Sequence, residues 1–174
     1  MMPFSRKILP LSVLVLFFAL MAGCEKGEGV RTRGTVESVG QRAVDFTIKT
    51  FDGGEFTLQG ALGRPVVVNF WASWCGPCIF EAPTLQKAYL EFAPSGVEFV
   101  GVAIQDSPED SMGFIERYNW TFPAGPDDTG EILKAYNAFG IPKTVIIDRK
   151  GYVSYIHYGV VTENLLRREI RKVL

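Results

Sequence analysis

Two cysteines stand close enough in this sequence to form and break one disulfide. Cys75 and Cys78 are separated by two residues and shortly follow an apolar run that ends at Trp71. This spacing allows both thiols to lie in the first turn of a helix, so the bond can open without unfolding the chain. Gly76 and Pro77 suit such a turn, because proline is tolerated where a helix needs no N–H group and its fixed φ is already helical. The pair therefore predicts redox chemistry.

The two thiols are expected to have different roles. The start of a helix favours a thiolate over a thiol, because its free N–H groups and positive dipole end stabilise negative charge. Cys75 is therefore expected to be the nucleophile that attacks a disulfide. Cys78 lies one turn further in and is expected to resolve the mixed disulfide that forms.

A CxxC pair can also belong to a zinc site or form a purely structural disulfide. A closed zinc site needs about four ligands from Cys, His or carboxylate groups. Besides the pair, the chain has one further cysteine, Cys24, and one histidine, His157, so no metal site is predicted. A structural bridge across so short a loop restricts the unfolded chain relatively little. Both alternatives are therefore weaker than redox chemistry.

The N-terminus has the order of an export signal. Arg6 and Lys7 precede an apolar stretch over residues 8–23, which is shorter than the ~20 residues of a comfortable membrane span. The residues before Cys24 resemble the lipobox at which bacterial lipoproteins are cut and acylated, although Met21 replaces the usual leucine. We expect a lipoprotein-type signal peptide with lipidation at Cys24, and an uncleaved membrane anchor is the alternative. Either outcome anchors the protein to the bacterial membrane outside the cytoplasm.

The composition divides the chain into three parts. Residues 1–23 are the predicted signal peptide or anchor. Residues 24–42 are polar and glycine-containing, as a flexible tether would be. Residues 43–174 are long enough for one domain with a proper core. The formal net charge is −1, and no basic cluster indicates nucleic-acid binding. We expect the protein to be a monomer.

Short apolar strands alternate with helical segments along the predicted domain. The run over residues 66–71 is nearly all apolar, as a strand buried on both faces should be. The pattern predicts strands over residues 44–49, 55–58, 66–71, 97–104, 144–147 and 152–158, and helices after residue 75, over 108–118, over 129–139 and after 162. This order predicts an α/β fold, with a central mixed β-sheet flanked by helices and an N-terminal β-hairpin. The CxxC pair is expected at the carboxyl end of a central strand.

Several segments resemble thioredoxin-fold proteins, and more closely the membrane-tethered TlpA/ResA-like thiol-disulfide oxidoreductases of bacteria. Residues 43–46 and 63–78 are similar to that family's opening and active-site stretch, and residues 140–148 resemble its second landmark. The resemblance spans nearly the whole predicted domain. It implies a thioredoxin-like fold in which the Cys75–Cys78 disulfide is the redox group and no further cofactor is needed. The remaining residues of the active-site motif are expected to support the two cysteines: Trp74, Gly76 and Pro77.

The resemblance also assigns a role to Pro142. In the thioredoxin fold the proline at this landmark is cis and faces the active disulfide. The sequence alone favours a trans proline that opens a strand, because only ~5–6% of X–Pro bonds in folded proteins are cis. With Pro142 cis, the backbone of Ile141 would be free to pair with an extended substrate segment beside Cys75. Ile141 and Pro142 are therefore expected to bind the substrate.

Two residues distinguish this chain from cytoplasmic thioredoxins. Asn69 stands where thioredoxins carry a buried aspartate, and an asparagine cannot accept the proton of the resolving thiol. TlpA/ResA-like proteins instead place a glutamate three residues after the second cysteine, where this chain has Glu81. Glu81 would lie one helical turn from Cys78. We expect a partly buried acid with a raised pKa that relays this proton; an ordinary solvated helix glutamate is the alternative.

The predicted function is reduction of protein disulfides by dithiol-disulfide exchange outside the cytoplasm. The resemblance implies protein thiol or disulfide clients, among them apocytochrome c during cytochrome c maturation, and a membrane electron donor of the thiol-reducing type. One alternative is a thioredoxin-fold peroxidase, but Ala72 occupies the position where peroxiredoxins carry a threonine. Another is a non-enzymatic Cu(I)-delivery module, since two thiols are soft ligands, although no Met or His cluster accompanies them.

Overall fold

The computed structural model describes residues 34–174, in which a β-hairpin precedes an α/β sheet. The hairpin consists of β1 (Thr47–Lys49) and β2 (Glu55–Thr57), which pair antiparallel. Predictions for the signal peptide, for lipidation at Cys24 and for the first part of the tether lie outside the described residues.

Strands and helices then alternate along the chain, as the apolar pattern predicts. A short 3-10 turn, Gln59–Ala61, follows the hairpin, and a second, Ala93–Ser95, follows the first helix. The remaining elements are β3 (Val66–Trp71), α1 (Gly76–Phe92), β4 (Glu98–Ala103), α2 (Pro108–Arg117), β5 (Ala124–Pro126), α3 (Glu131–Ala135), β6 (Lys143–Ile147), β7 (Val153–Tyr158) and α4 (Glu163–Arg171).

Five strands form one mixed sheet in the order β5-β4-β3-β6-β7. The central strand β3 runs parallel to β4 and antiparallel to β6, with Asn69 opposite Gly101 on one side and Thr144 on the other. The predicted fold class, a central mixed sheet flanked by helices with an N-terminal hairpin, is confirmed. The sheet carries the CxxC pair just beyond the carboxyl end of its middle strand.

Alternate side chains of β3 enter two different hydrophobic clusters, because successive residues of a strand point to opposite faces of the sheet. Val68 and Phe70 pack with the hairpin and α3. Val67 and Trp71 pack on the other face with α1 and α4. Asn69 shares the parity of Val67 and Trp71, so it lies on the sheet face that α1 covers. Within residues 34–174, none of the helices combines the length and apolar composition needed to cross a membrane.

The folded part begins earlier than the predicted boundary at residue 43. Val36 is fully buried in the cluster beneath the hairpin, and its N–H donates to the carbonyl of Ala135 at 2.6 Å. The N–H of Gly40 donates to the carbonyl of Val153 at 2.8 Å. The prediction of a flexible tether over residues 24–42 is therefore wrong for the last part of this range. One apolar side chain and these backbone hydrogen bonds hold that part against the domain.

The structure also differs from the prediction at α3 and β5. The helix expected over residues 129–139 spans only Glu131–Ala135, because Gly130 before it and Asn137 after it adopt left-handed conformations, with φ of 67° and 47°. The edge strand β5 was not predicted, since Ala-Gly-Pro carries neither apolar alternation nor β-branched side chains.

Gly125 in β5 lies where the hairpin meets the sheet, and we expect any side chain there to be strongly destabilising. A Cβ atom on Gly125 would stand 2.0 Å from the carbonyl oxygen of Lys49. Because that contact is to backbone, Gly125→Ala should lower the free energy of unfolding by about 3 kcal/mol. Gly113→Ala is the matched control, because Gly113 lies in α2 with open space around it, and there alanine should add about 1 kcal/mol. Urea unfolding of both variants measures the difference, and equal stabilities would contradict the close packing.

Candidate redox-active site

The sequence places Cys75 at the start of α1. Cys75 has extended backbone angles, φ −80° and ψ 102°, and serves as the N-cap residue, with Pro77 in the first turn. Its Sγ accepts a hydrogen bond from the N–H of Cys78 at 3.2 Å. A helix N-terminus has unpaired N–H groups and a positive dipole end, so the Cys75 sulfur lies where a thiolate is best stabilised.

Cys75 and Cys78 form a disulfide with an S–S distance of 2.05 Å. The structure thus brings together the two residues that sequence spacing pairs. Both are buried, with 4% of Cys75 and 1% of Cys78 exposed. Cys75 is the less covered of the two and lies at the helix end, which gives an incoming sulfur its access to the bond.

The residues just before the pair are held by the loop that follows β4. The indole Nε1 of Trp74 donates to the carbonyl of Gln105 at 3.1 Å, while 61% of the side chain stays exposed. The Asp106 carboxylate accepts from the N–H and the hydroxyl of Ser73, both at 2.7 Å, and from the hydroxyl of Ser111 at 2.8 Å. These bonds fix the approach to the disulfide and leave a flat aromatic surface beside it.

The segment that leads into β6 contributes Ile141 and Pro142. The peptide bond between them is cis, and the N–H of Gly159 donates to the carbonyl of Pro142 at 2.9 Å. Ile141 is partly exposed and packs against the hydrophobic cluster that contains both cysteines. The next residue, Lys143, is fully buried, and its ammonium donates to the carbonyl of Tyr136.

Glu81 is buried in α1, with only 1% of the residue exposed. Its Oε1 accepts from Asn69 Nδ2 and its Oε2 from the N–H of Val161, both at 2.8 Å. Burial raises the pKa of Glu81 to about 7, although these two hydrogen bonds oppose the shift. The alternative, an ordinary solvated glutamate, is wrong, because the side chain is buried and both carboxyl oxygens accept hydrogen bonds from other residues.

Some exposed apolar side chains were not predicted as functional. Phe80 and Phe139 are 79% and 71% exposed, and Tyr158 and Val160 are also exposed. Phe139 lines a groove of about 610 Å³ together with Gln105, the residue that binds the Trp74 indole. The exposure of Phe80 could have been predicted from the sequence, because Phe80 falls outside the helical spacing of the buried positions in α1.

Side chains that could bind a metal ion do not cluster in the part of the chain that the structure describes. Among residues 34–174, no group of three or more His, Cys, Asp and Glu side chains is arranged to hold a metal ion. The reactive groups of the site are two sulfurs and one buried carboxyl group, which hydrogen bonds hold in place. Such a set can exchange disulfides and move the proton that exchange requires.

Comparison with known proteins agrees with this chemistry. The model of the AhpC/TSA family matches residues 39–156. The thioredoxin-like protein YneN of Bacillus subtilis is 36% identical over 135 residues, which cover 75% of this chain and 78% of YneN. The thiol-disulfide oxidoreductase ResA of Geobacillus kaustophilus is 33% identical over 142 residues, which cover 82% of each chain.

Solved structures show the same fold. A thiol:disulfide interchange protein of the thioredoxin family from Chlorobium tepidum superposes with a TM-score of 0.71 at 26% identity, over 79% of this chain and 99% of that one. A secreted disulfide oxidoreductase of Mycobacterium tuberculosis, homologous to E. coli DsbE, superposes with a TM-score of 0.67 at 28% identity, over 73% and 95%. With its disulfide at the start of α1, this chain therefore belongs to the AhpC/TSA family and is a thioredoxin-fold thiol-disulfide oxidoreductase of the ResA-like kind.

Proposed function

We propose that this protein reduces disulfides of other proteins outside the cytoplasm, while anchored to the membrane. The observation that carries the proposal is the Cys75–Cys78 disulfide at the N-terminus of α1, one helical turn from the buried carboxyl group of Glu81. The pair is the redox group that the reaction uses, and the proposal requires no further cofactor.

The reaction begins with the reduced pair. The Cys75 thiolate attacks a client disulfide, which forms a mixed disulfide and releases the first client sulfur as a thiolate. Cys78 then loses its proton and attacks the Cys75 sulfur, so the second client sulfur leaves. Two electrons pass from the pair to the client, and the two released client thiolates take up two protons. Glu81 is the group proposed to accept the proton of Cys78.

The surface around the disulfide supports a protein client. Trp74 offers an exposed aromatic face next to Cys75, and Ile141 lies partly exposed against the same cluster as the pair. We assign Ile141 and Pro142 to client binding, with the backbone of Ile141 pairing with an extended client segment. Gly76 and Pro77 are exposed at the helix start, where they leave the sulfurs approachable.

Several features support the location and the partners. The charged-then-apolar N-terminus and the residues before Cys24 resemble those of exported, lipidated proteins. One related disulfide oxidoreductase is described as secreted. Because surroundings outside the cytoplasm are oxidising, a reductase there needs an electron donor. We propose a membrane protein that supplies electrons through thiols, apocytochrome c as the client, and action as a monomer.

A peptide that carries an oxidised CxxCH haem-attachment motif tests the proposal. Reduced protein should reduce this peptide faster than a peptide in which a disulfide joins two distant cysteines. Equal rates would contradict apocytochrome c as the preferred client. Faster turnover of hydrogen peroxide than of either peptide would indicate the peroxidase instead, and tight Cu(I) uptake without exchange would indicate the copper-delivery module.

A further inference from the structure

Asn69 interrupts the otherwise apolar run of β3 and is itself only 1% exposed. Its Nδ2 donates to Glu81 Oε1 at 2.8 Å and to the hydroxyl oxygen of Thr144 at 3.2 Å. A buried amide is normally paired through both of its polar ends, because an unpaired buried polar group destabilises the fold. Asn69 lies between α1 and β6, and each of these elements supplies one of its two partners.

The other end of this carboxamide has no partner. Among the described residues, Asn69 Oδ1 is one of three buried side-chain nitrogen or oxygen atoms without a hydrogen bond. Both hydrogens of Nδ2 are used, while both oxygens of Glu81 accept N–H groups. This arrangement suits a Glu81 carboxylate, which accepts and cannot donate.

A protonated Glu81 has the opposite requirement, because a carboxylic acid carries one O–H that needs an acceptor. The N–H of Val161 can only donate. The nearby titratable side chains are engaged elsewhere: Cys78 is in the disulfide, Lys143 donates to the carbonyl of Tyr136 from the other face of β6, and His157, opposite Thr144 on β7, contacts the carbonyl of Val160. The acceptor left within reach is the unpartnered oxygen of Asn69.

A half-turn of the carboxamide about its Cβ–Cγ bond exchanges the positions of Nδ2 and Oδ1. After that turn, Oδ1 accepts the O–H of Glu81, and the hydroxyl of Thr144 donates to Oδ1 instead of accepting from Nδ2. A hydroxyl serves equally well in either direction. The unpartnered polar atom of Asn69 is Oδ1 before the turn and Nδ2 after it.

We propose that Asn69 is the positioning residue of the proton relay, and that it donates to the Glu81 carboxylate and accepts from the Glu81 carboxylic acid. The inference rests on the proposed function, because it is the Cys78 proton that Glu81 would take up as the second sulfur is displaced. This role also explains why position 69 carries an asparagine. An aspartate would compete with Glu81 for the proton, and a leucine would bind neither form.

Nuclear magnetic resonance of the oxidised protein tests the proposal with both cysteines left in place, because the disulfide keeps them from titrating. The side-chain amide signals of Asn69 should shift with the same pH midpoint as the carboxyl carbon of Glu81. In Glu81→Gln the Asn69 signals should not depend on pH over this range. Asn69 signals that stay constant while Glu81 titrates would overturn the proposal.

A pair of variants adds a measurement, the pH midpoint of Cys78, that should not change if Asn69 has only a structural role. With Cys75 and Cys24 both replaced by serine, Cys78 is the one thiol left in the chain, and thiolate absorbance gives its pH midpoint. Asn69→Leu should shift this midpoint by about one pH unit, and the same substitution in Glu81→Gln should leave it unmoved. Equal shifts in both backgrounds would mean that Asn69 acts without Glu81, which contradicts the proposal. Failure to reduce any disulfide peptide would refute the proposed function, whereas the coupled titration of Asn69 and Glu81 would still stand.

Discussion

Cys78→Ser is expected to trap client proteins on Cys75 as mixed disulfides, whereas Cys75→Ser should abolish exchange. Cys75 lies at the N-terminus of α1 and is the less buried residue of the pair, so we expect a client disulfide to reach its sulfur first. Without Cys78 nothing displaces the client from Cys75. Removing Cys75 takes away the nucleophile, and the rate of disulfide reduction should fall on the order of 10³-fold or more.

Non-reducing electrophoresis of each variant after incubation with an oxidised client measures the trapped species. The adducts of Cys78→Ser should disappear on addition of dithiothreitol. The matched control combines Cys78→Ser with Cys24→Ser, since Cys24 is the third cysteine of the chain, and it should trap as well as Cys78→Ser alone. Adducts of equal amount in Cys75→Ser and Cys78→Ser would contradict the assignment of the nucleophile.

Glu81→Gln is expected to change how stability depends on pH. Burial raises the pKa of Glu81 from 4.5 to about 7, so between these values the folded chain holds a proton that the unfolded chain releases. Stability therefore falls as pH rises through this window. The shift corresponds to a loss of about 3 kcal/mol by pH 7 and above. Because glutamine does not titrate, Glu81→Gln should lack this loss and should gain stability relative to the parent as pH rises.

Urea unfolding of the oxidised proteins between pH 4.5 and 8 measures this difference. Glu169→Gln is a control of opposite sign, because the hydrogen bond from Lys172 lowers the pKa of Glu169. That group stabilises the fold above its ordinary pKa and loses the contribution as pH falls, so Glu169→Gln should be the less stable protein at neutral pH. Parallel pH profiles for the parent and Glu81→Gln would show that Glu81 does not titrate abnormally.

The redox pair and its framework could be predicted because local patterns determine them. A nearly continuous apolar run specifies a strand buried on both faces, as in Val66–Trp71. Ser107 before Pro108 specifies a helix start, and the Ser107 hydroxyl indeed accepts from the N–H of Asp110 at 3.0 Å. The spacing of Cys75 and Cys78 is itself a local signal. These features need no knowledge of distant parts of the chain.

Contacts between distant segments could not be predicted in the same way. The second donor to Glu81 is a backbone N–H, that of Val161, which any residue type would supply. The carbonyl that holds the Trp74 indole belongs to Gln105, whose left-handed φ of 48° is unusual for glutamine. The partner of Asn69 on β6 follows from strand register, which a single sequence specifies only through its hydrophobic pattern.

The reduction potential of the Cys75–Cys78 pair tests the central claim most directly. Purified protein is equilibrated against dithiothreitol or glutathione buffers of known ratio, and the fraction of reduced pair is measured at each ratio. A disulfide reductase should have a potential close to the value of about −270 mV that thioredoxin shows. A potential near about −120 mV, as in the strong oxidant DsbA, would mean that the pair donates disulfides to its clients and would contradict the account.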